Sequence, residues 1–339
     1  HSLLISSRLR ASPYKVRGRH IRNHGLIQTQ IPCQPRFPTP AAREEKERMY
    51  PSRFDYDAPA SIEEAISILD QNGGEAKVLA GGQSLIPMLK LRFASPERVV
   101  DINGIPGLEY HRIDPDGTLR IGALCRHEDL EFSTILGDTF PTLASAASLV
   151  SDPIIRTRGT FVGSLCHADP QGDWSATMIA LGGRIVAQGP NGRREIEARD
   201  FVLGPFVSAL AFNEIAVEAI VPPAKGKPLG GYLKLERRVG DFATASVAVA
   251  LDMDGDTVTH AGCAMAGVGG RTIDANEAIS VLNGKTLTTE NIKIAAEAVA
   301  AVAEPRTDHR GSADYKRHIT ETFVVRILSN IAHSEKKAA

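Results

Sequence analysis

Apolar residues recur along this chain with a period near 3.6 in some stretches and a period of two in others, and each change of period marks an element boundary. After the capping box Ser61-Ile-Glu-Glu64, residues Ile62, Ala65, Ile66 and Leu69 share one face. This predicts a helix from Ile62 to about Gln71, ended by Gly73-Gly74. Short apolar strands are predicted at the Lys77 segment and at Arg98–Ile102, with a helical turn over Ser84–Leu89 between them. Leu108–Leu124 reads as a hairpin about Asp116-Gly117. Helical patterns follow at His127–Leu136, Thr142–Leu149 and Trp174–Leu181, the last capped by Asp173 and closed by Gly182-Gly183. Arg184–Gln188, Arg194–Glu197 and Ile215–Val221 are predicted strands. Pro222-Pro223 and Lys225-Gly-Lys-Pro228 read as a linker. Beyond it come a meander of Tyr232–Arg237, Ala245–Asp252 and Val258–Met265, then helices at about Thr289–Ala303 and Asp314–His333. Strands and helices mix without sustained β-α-β alternation, which predicts an α+β fold rather than a doubly wound sheet.

Two glycine segments interrupt this pattern. In Lys77-Val-Leu-Ala80-Gly81-Gly82-Gln83-Ser84-Leu85 a strand runs through two glycines into a helix start, an arrangement that suits an anion. In Arg156-Thr-Arg-Gly-Thr160-Phe161-Val162-Gly163-Ser164 small residues alternate with hydroxyls, so that successive N–H groups can form an anion-binding nest. Each segment alone is equally a glycine turn before a helix. Neither matches the P-loop or the G-x-G-x-x-G spacing. As a pair they suit a ligand carrying a diphosphate, gripped from both sides.

Composition narrows the field. The chain has 339 residues, 42% hydrophobic and 23% charged, ordinary for a globular protein with two or three domains. Its formal net charge of −1 offers no general grip on nucleic acid, and no apolar run reaches the length of a membrane span. Cys33, Cys125, Cys166 and Cys263 are far apart and make no metal-ligand set by spacing. Cys166 reads as a small buried residue, and the dispersed histidines as surface or core groups. No hydrolase or metalloprotease motif is present. Residues 1–48 are basic, free of acids before Glu44 and broken by Pro32, Pro35, Pro38 and Pro40. They read as a disordered or non-native extension, although a transit peptide has a similar composition.

Ala80-Gly-Gly-Gln-Ser84, Arg156-x-Arg-Gly-Thr160-x-x-Gly163 with Ala168-Asp169-Pro170 and Asp173, and Tyr232-x-Lys234-x-x-Arg237-Arg238-x-Gly240-Asp241-Phe242-Ala243 occur in that order. Together they resemble the FAD-binding (medium) subunits of molybdenum hydroxylases, a group that includes aerobic carbon monoxide, xanthine and aldehyde dehydrogenases. The resemblance implies a PCMH or vanillyl-alcohol-oxidase type FAD-binding domain over residues 49–224, divided into subdomains 49–104 and 105–224. A sheet-plus-helices domain over residues 229–335 then follows.

The resemblance also implies site residues. Ala80, Gly81, Gly82, Gln83, Ser84 and Leu85, with Thr160, Phe161, Val162, Gly163 and Ser164, correspond to loops around the FAD diphosphate. Asp173 corresponds to an acid at the flavin pocket, Lys234 to a lysine near the cofactor, and Phe242 to an aromatic beside the isoalloxazine ring that is often tyrosine. From the residues alone, Lys234 is equally an exposed strand lysine. The family usually carries Thr-x-Gly-Gly where this chain has Val162 in place of the first glycine. A valine there is costly only if the position needs a left-handed backbone or close phosphate approach.

No metal ligand or catalytic residue is assigned to this chain, and motifs for a molybdenum cofactor or a two-iron–two-sulfur cluster are missing. The resemblance therefore implies a molybdenum-cofactor large subunit and a two-iron–two-sulfur small subunit as partners, in a dimer of heterotrimers. Electrons would leave through FAD to a quinone, NAD or another acceptor, in the cytoplasm or loosely at the membrane through the complex. The carbon monoxide dehydrogenase branch is the leading assignment. The alternatives are a xanthine, aldehyde or heterocycle dehydrogenase subunit, a stand-alone FAD-dependent reductase, and a non-redox interaction subunit.

Overall fold

The computed structural model describes residues 50–338; the basic extension at residues 1–48 lies outside them. The first unit is a small parallel sheet. Strand β1 (Asp55–Asp57), helix α1 (Ile62–Gln71), strand β2 (Ala76–Leu79), helix α2 (Leu85–Lys90) and strand β3 (Arg98–Asp101) follow one another, with sheet order β1-β3-β2. Helix α1 forms as its periodicity predicts, burying Ile62, Ala65, Ile66 and Leu69. Ser61 Oγ accepts from Glu64 N–H, but the Glu64 carboxylate turns back to Ala60 N–H rather than closing the box on Ser61. Gly73 and Gly74 both take positive φ and end the helix.

The second unit is an antiparallel five-stranded sheet in the order β4-β5-β10-β6-β7. Its strands are β4 (His111–Ile113), β5 (Leu119–Gly122), β6 (Arg184–Gly189), β7 (Gly192–Glu197) and β10 (Ile215–Val221), with the β8 (Val202–Gly204) and β9 (Val207–Ser208) hairpin inserted before β10. Every residue of β10 is buried, because it is the central strand and both faces are covered. Ile215 and Val217 join a core with helix α1, while Ala216, Ala219 and Val221 join a second core under the intervening helices.

Those helices are α3 (His127–Glu131), α4 (Pro141–Ala147), α5 (Pro153–Arg156), α6 (Phe161–His167), α7 (Asp173–Ala180) and α8 (Ala198–Phe201). Two are shorter than the sequence pattern predicts, since α3 stops at Glu131 and α4 at Ala147.

The C-terminal sheet runs β11 (Lys227–Leu235), β12 (Ala245–Asp254), β13 (Thr257–Ala266) and β14 (Ile273–Asp274) in sequential antiparallel order. Helices α9 (Asn276–Ile279), α10 (Thr289–Ala301) and α11 (Ala313–Ala338) complete it. Lys227 and Pro228 already pair with Met253 and Asp252, so the predicted linker is shorter by two residues. Strand β12 alternates strictly. Ala245, Val247, Val249, Leu251 and Met253 face a core with the C-terminal helices, while Ala248 packs into the core of the preceding unit. The small residues on that inner face allow close approach: a Cβ on Gly262 would lie 2.0 Å from the Ala180 carbonyl oxygen. This contact seats β13 on the end of α7, and Tyr232 on β11 reaches the start of α7 through its hydrogen bond to Asp173. The fold is α+β throughout, as the mixed pattern predicts. No helix among the described residues is long and apolar enough to cross a membrane.

Candidate functional site

The two glycine segments meet. A Cβ on Gly81 would lie 2.4 Å from the Arg158 carbonyl oxygen and 2.8 Å from Gly159 Cα, so only glycine permits this approach. The second segment is held from behind by residues 125–127. Phe161 N–H donates to the Cys125 carbonyl and His127 N–H to the Gly159 carbonyl, both at 3.0 Å.

The second segment is a helix start and not an open nest. Thr160 is extended, and its Oγ1 accepts from Gly163 N–H as the N-cap of α6. Val162 lies in the first turn of that helix with ordinary backbone and is absent from the left-handed positions. The β-branched residue therefore carries no backbone strain here. Arg156, which opens the motif, is engaged elsewhere, since its guanidinium donates to both Glu131 oxygens and to the Val150 and Ser151 carbonyls.

A buried polar cluster lies beside these segments. Asp173 is not the cap of α7 but its first residue, and Gly172 takes the cap position. This frees the Asp173 carboxylate to accept from Tyr232 Oη at 2.5 Å and from Lys234 Nζ at 3.1 Å. Lys234 also donates to the Leu149 carbonyl at 2.9 Å and lies 3.5 Å from Glu236 Oε2. Burial pushes the Asp173 carboxyl above its ordinary value against the pull of Lys234. Burial and the neighbouring Asp173 push the Tyr232 phenol well up, so it stays protonated and donates. Lys234 is thus a buried, partnered cation and not an exposed strand lysine.

These parts line one cleft of about 670 Å³, within the range of small-molecule and cofactor sites. Of the residues singled out from the sequence, Ala80, Gly81, Gly82, Gln83, Ser84, Leu85, Thr160, Val162, Gly163, Ser164, Asp173, Lys234 and Phe242 all line it. Phe161 does not. It is fully buried, with its ring centroid 4.7 Å from that of Trp174, because the first residue of α6 points into the core. Phe242 sits on the rim, about half exposed.

The cleft has further walls that sequence reasoning missed. Leu69, Ala76, Val78 and Ile102 give it an apolar side. His127 lines it too, with Nδ1 accepting from the Trp174 indole at 3.0 Å. Half-buried Cys166 reaches it with its thiol pushed up to about 12 by burial, which makes it an inert wall at neutral pH. Asp241 was within reach of the sequence, since it sits inside the quoted Gly240-Asp241-Phe242 run. Phe206 gave no signal: it holds a left-handed backbone at φ 59° and turns its ring toward His167, 5.1 Å away.

A family model for the FAD binding domain in molybdopterin dehydrogenase matches residues 52–224, and a model for the carbon monoxide dehydrogenase flavoprotein C-terminal domain matches residues 231–331. The chain belongs to the molybdopterin-dehydrogenase FAD-binding family. Within it, the chain is 43% identical over 281 residues to the carbon monoxide dehydrogenase medium chain of Hydrogenophaga pseudoflava, covering 83% of this chain and 98% of that one. It is 36% identical to the 6-hydroxypseudooxynicotine dehydrogenase complex subunit alpha of Paenarthrobacter nicotinovorans, covering 84% and 96%. A solved structure of carbon monoxide dehydrogenase from Hydrogenophaga pseudoflava superposes with a TM-score of 0.80 at 44% identity, covering 85% of this chain and 99% of that one.

FAD is the cofactor of this family, and the cleft has the parts such a molecule needs. Side-chain-free backbone at Gly81 and Gly163 opens onto it, Lys234 offers a cation, Phe242 offers a flat apolar face, and the α1 side is apolar. Among the described residues, no group of three or more His, Cys, Asp or Glu side chains is placed to hold a metal ion.

Proposed function

We propose that this chain is the FAD-carrying subunit of a molybdenum hydroxylase complex of the carbon monoxide dehydrogenase type, with the cofactor held in the cleft between Gly81 and Gly163. Bound FAD supplies the reversible uptake of electrons, which arrive from a molybdenum centre through iron–sulfur clusters on partner subunits and leave to a quinone, NAD or another acceptor. The chain's own residues hold and shield. The 80–85 segment and the start of α6 at 160–164, which border one cleft, would hold the diphosphate between them. Lys234, fixed by Asp173 and the Leu149 carbonyl, places a positive charge where reduction adds negative charge. Tyr232 keeps Asp173 in place through its hydrogen bond. Phe242 offers its ring face to the isoalloxazine without the hydroxyl of a tyrosine.

The observation that carries this reading is the meeting of the two glycine segments on the same cleft as the buried Lys234. The named substrates of the relatives differ, carbon monoxide in one and 6-hydroxypseudooxynicotine in another, while this chain type persists. That pattern supports a large partner subunit as the place of substrate choice, with a two-iron–two-sulfur small subunit between, in a dimer of heterotrimers.

The test is a visible spectrum of the purified full chain, followed by acid precipitation. Flavin absorbance that passes into the supernatant as FAD supports the reading. A colourless chain that takes up no added FAD, or substrate turnover by the chain without partners, overturns it.

A further inference from the structure

We infer that Arg126 is a positioning residue for the cofactor cleft, setting the separation of the two glycine segments through Asn103; the inference rests on the reading of that cleft as the FAD site. Arg126 Nη1 donates to the Arg158 carbonyl at 2.7 Å, and Nη2 donates to Asn103 Oδ1 at 2.9 Å. Asn103 Nδ2 in turn donates to the Ala80 carbonyl at 2.7 Å. An unbroken relay therefore joins the backbone of one glycine segment to the backbone of the other. Its two ends flank the glycine contact: Ala80 precedes Gly81, and the Arg158 oxygen is the atom that Gly81 faces.

The relay is built and not incidental. Asn103 Nδ2 also donates to Asp101 Oδ1 at 2.6 Å, and Asn103 N–H to the same oxygen at 2.9 Å. Asp101 Oδ2 accepts from Tyr56 Oη at 2.6 Å. With two acceptors on the amide nitrogen and a guanidinium on the oxygen, only one orientation of the Asn103 amide satisfies its surroundings. The backbone of Arg126 is equally fixed, by Asp129 at its N–H and by a bridge pairing with Thr160. Its side chain is only 15% exposed, and its contact to the exposed Glu109, at 3.4 Å, adds little. The two bonds diverge from one planar guanidinium, so a lysine can reach one acceptor but not both.

Neither Arg126 nor Asn103 lines the cleft, so the pair acts on a ligand only through the segments it ties. Backbone donors on two segments grip one group well only when their spacing is held to about 0.5 Å. The relay should therefore matter for a ligand spanning both segments and not for one that occupies only the ring end of the cleft. A tie that merely stabilised the fold would affect both ligands alike.

The experiment uses the full chain freed of flavin and titrated with FAD and with riboflavin, which lacks the diphosphate, by flavin fluorescence. Arg126→Met is expected to weaken FAD binding about tenfold or more while riboflavin binding changes by less than about twofold. Arg126→Lys should fall between wild type and Arg126→Met. Asn103→Ala should reproduce the FAD loss, and the double variant should be no worse than either single one. Hydrogen exchange of the flavin-free chain should quicken at both 80–84 and 159–163 in Arg126→Met. Equal losses for FAD and riboflavin, or an unchanged FAD affinity in a wild-type background that binds FAD, overturns the inference alone. A wild type that binds neither flavin overturns the reading of the cleft and this inference with it. If Arg126→Met does not fold, Arg126→Lys and Asn103→Ala carry the same comparison.

Discussion

Gly81 and Arg158 approach so closely that the second segment's carbonyl oxygen occupies the place a Gly81 side chain would need. The neighbouring Gly82 is a glycine for another reason, its left-handed backbone at φ 75°. At Gly81 all three nearest atoms belong to backbone and cannot rotate aside.

Gly81→Ala is accordingly expected to push the two segments apart, destabilising the chain by roughly 1–3 kcal/mol and abolishing high-affinity FAD binding. Thermal unfolding and a flavin titration on the same preparation check both parts. Retained FAD affinity would show that the spacing of the segments is not what the cofactor reads.

Much of this geometry was legible in the sequence, for identifiable reasons. Helix α1 carries a full apolar stripe and a cap, and β10 is apolar at every position but Glu218, so local pattern alone marks both. Residues 153–167 were harder. Helices α5 and α6 have four and seven residues, too short for a stripe, and Gly163 inside α6 reads as a breaker. What fixes α6 is tertiary, the Phe161 N–H bond to Cys125 behind it. The Asp173–Tyr232–Lys234 cluster lay beyond any local pattern, because β11 reaches α7 only after the C-terminal sheet has packed on the preceding unit. Asp173 was read as a cap because nothing nearby reveals that its partners lie on a distant strand.

His127 predicts an acid limit to stability. Burial first, and the Arg156 and Arg126 cations next, bring its pKa down to about 4. The folded value lies below the ordinary 6.5, so its contribution is fully present above that pH and is lost as pH falls towards 4. Across that window the loss is on the order of 3 kcal/mol. His127→Gln keeps an acceptor for the Trp174 indole and does not titrate. Its denaturation midpoint should change less than that of the wild type between those two pH values. Parallel curves would place the acid sensitivity elsewhere.

Arg310 predicts the behaviour of the cleft rim. Its guanidinium donates to both Asp241 oxygens, at 3.0 and 3.2 Å, and to the Phe242 carbonyl at 2.9 Å. The hydrogen bonds from Arg310 hold the Asp241 carboxyl below its ordinary value. Arg310→Met should cost about 1–3 kcal/mol and loosen the turn at Arg237-Arg238. Trypsin should then cut after Arg237 or Arg238 several times faster than in the wild type. An unchanged cleavage rate would mean that the turn holds itself.

Val162 is the position where this chain departs from the Thr-x-Gly-Gly pattern that the resemblance implies, and its surroundings show what a side chain does there. If the glycine served a left-handed backbone, the valine would sit in strain; instead it lies in the regular first turn of α6. If it served close approach to a phosphate, the valine side chain would stand out into the cleft; the residue borders the cleft, yet it is 1% exposed and packs into the core beneath. Both considerations make valine a packing residue here. Val162→Gly removes a buried side chain and adds a poor helix former, and should destabilise the chain by about 2–4 kcal/mol. It should bring no gain in FAD affinity once the comparison is made well below the unfolding temperature. A variant that bound FAD more tightly than the wild type, at any cost in stability, would show that the valine does stand between the α6 backbone and the cofactor.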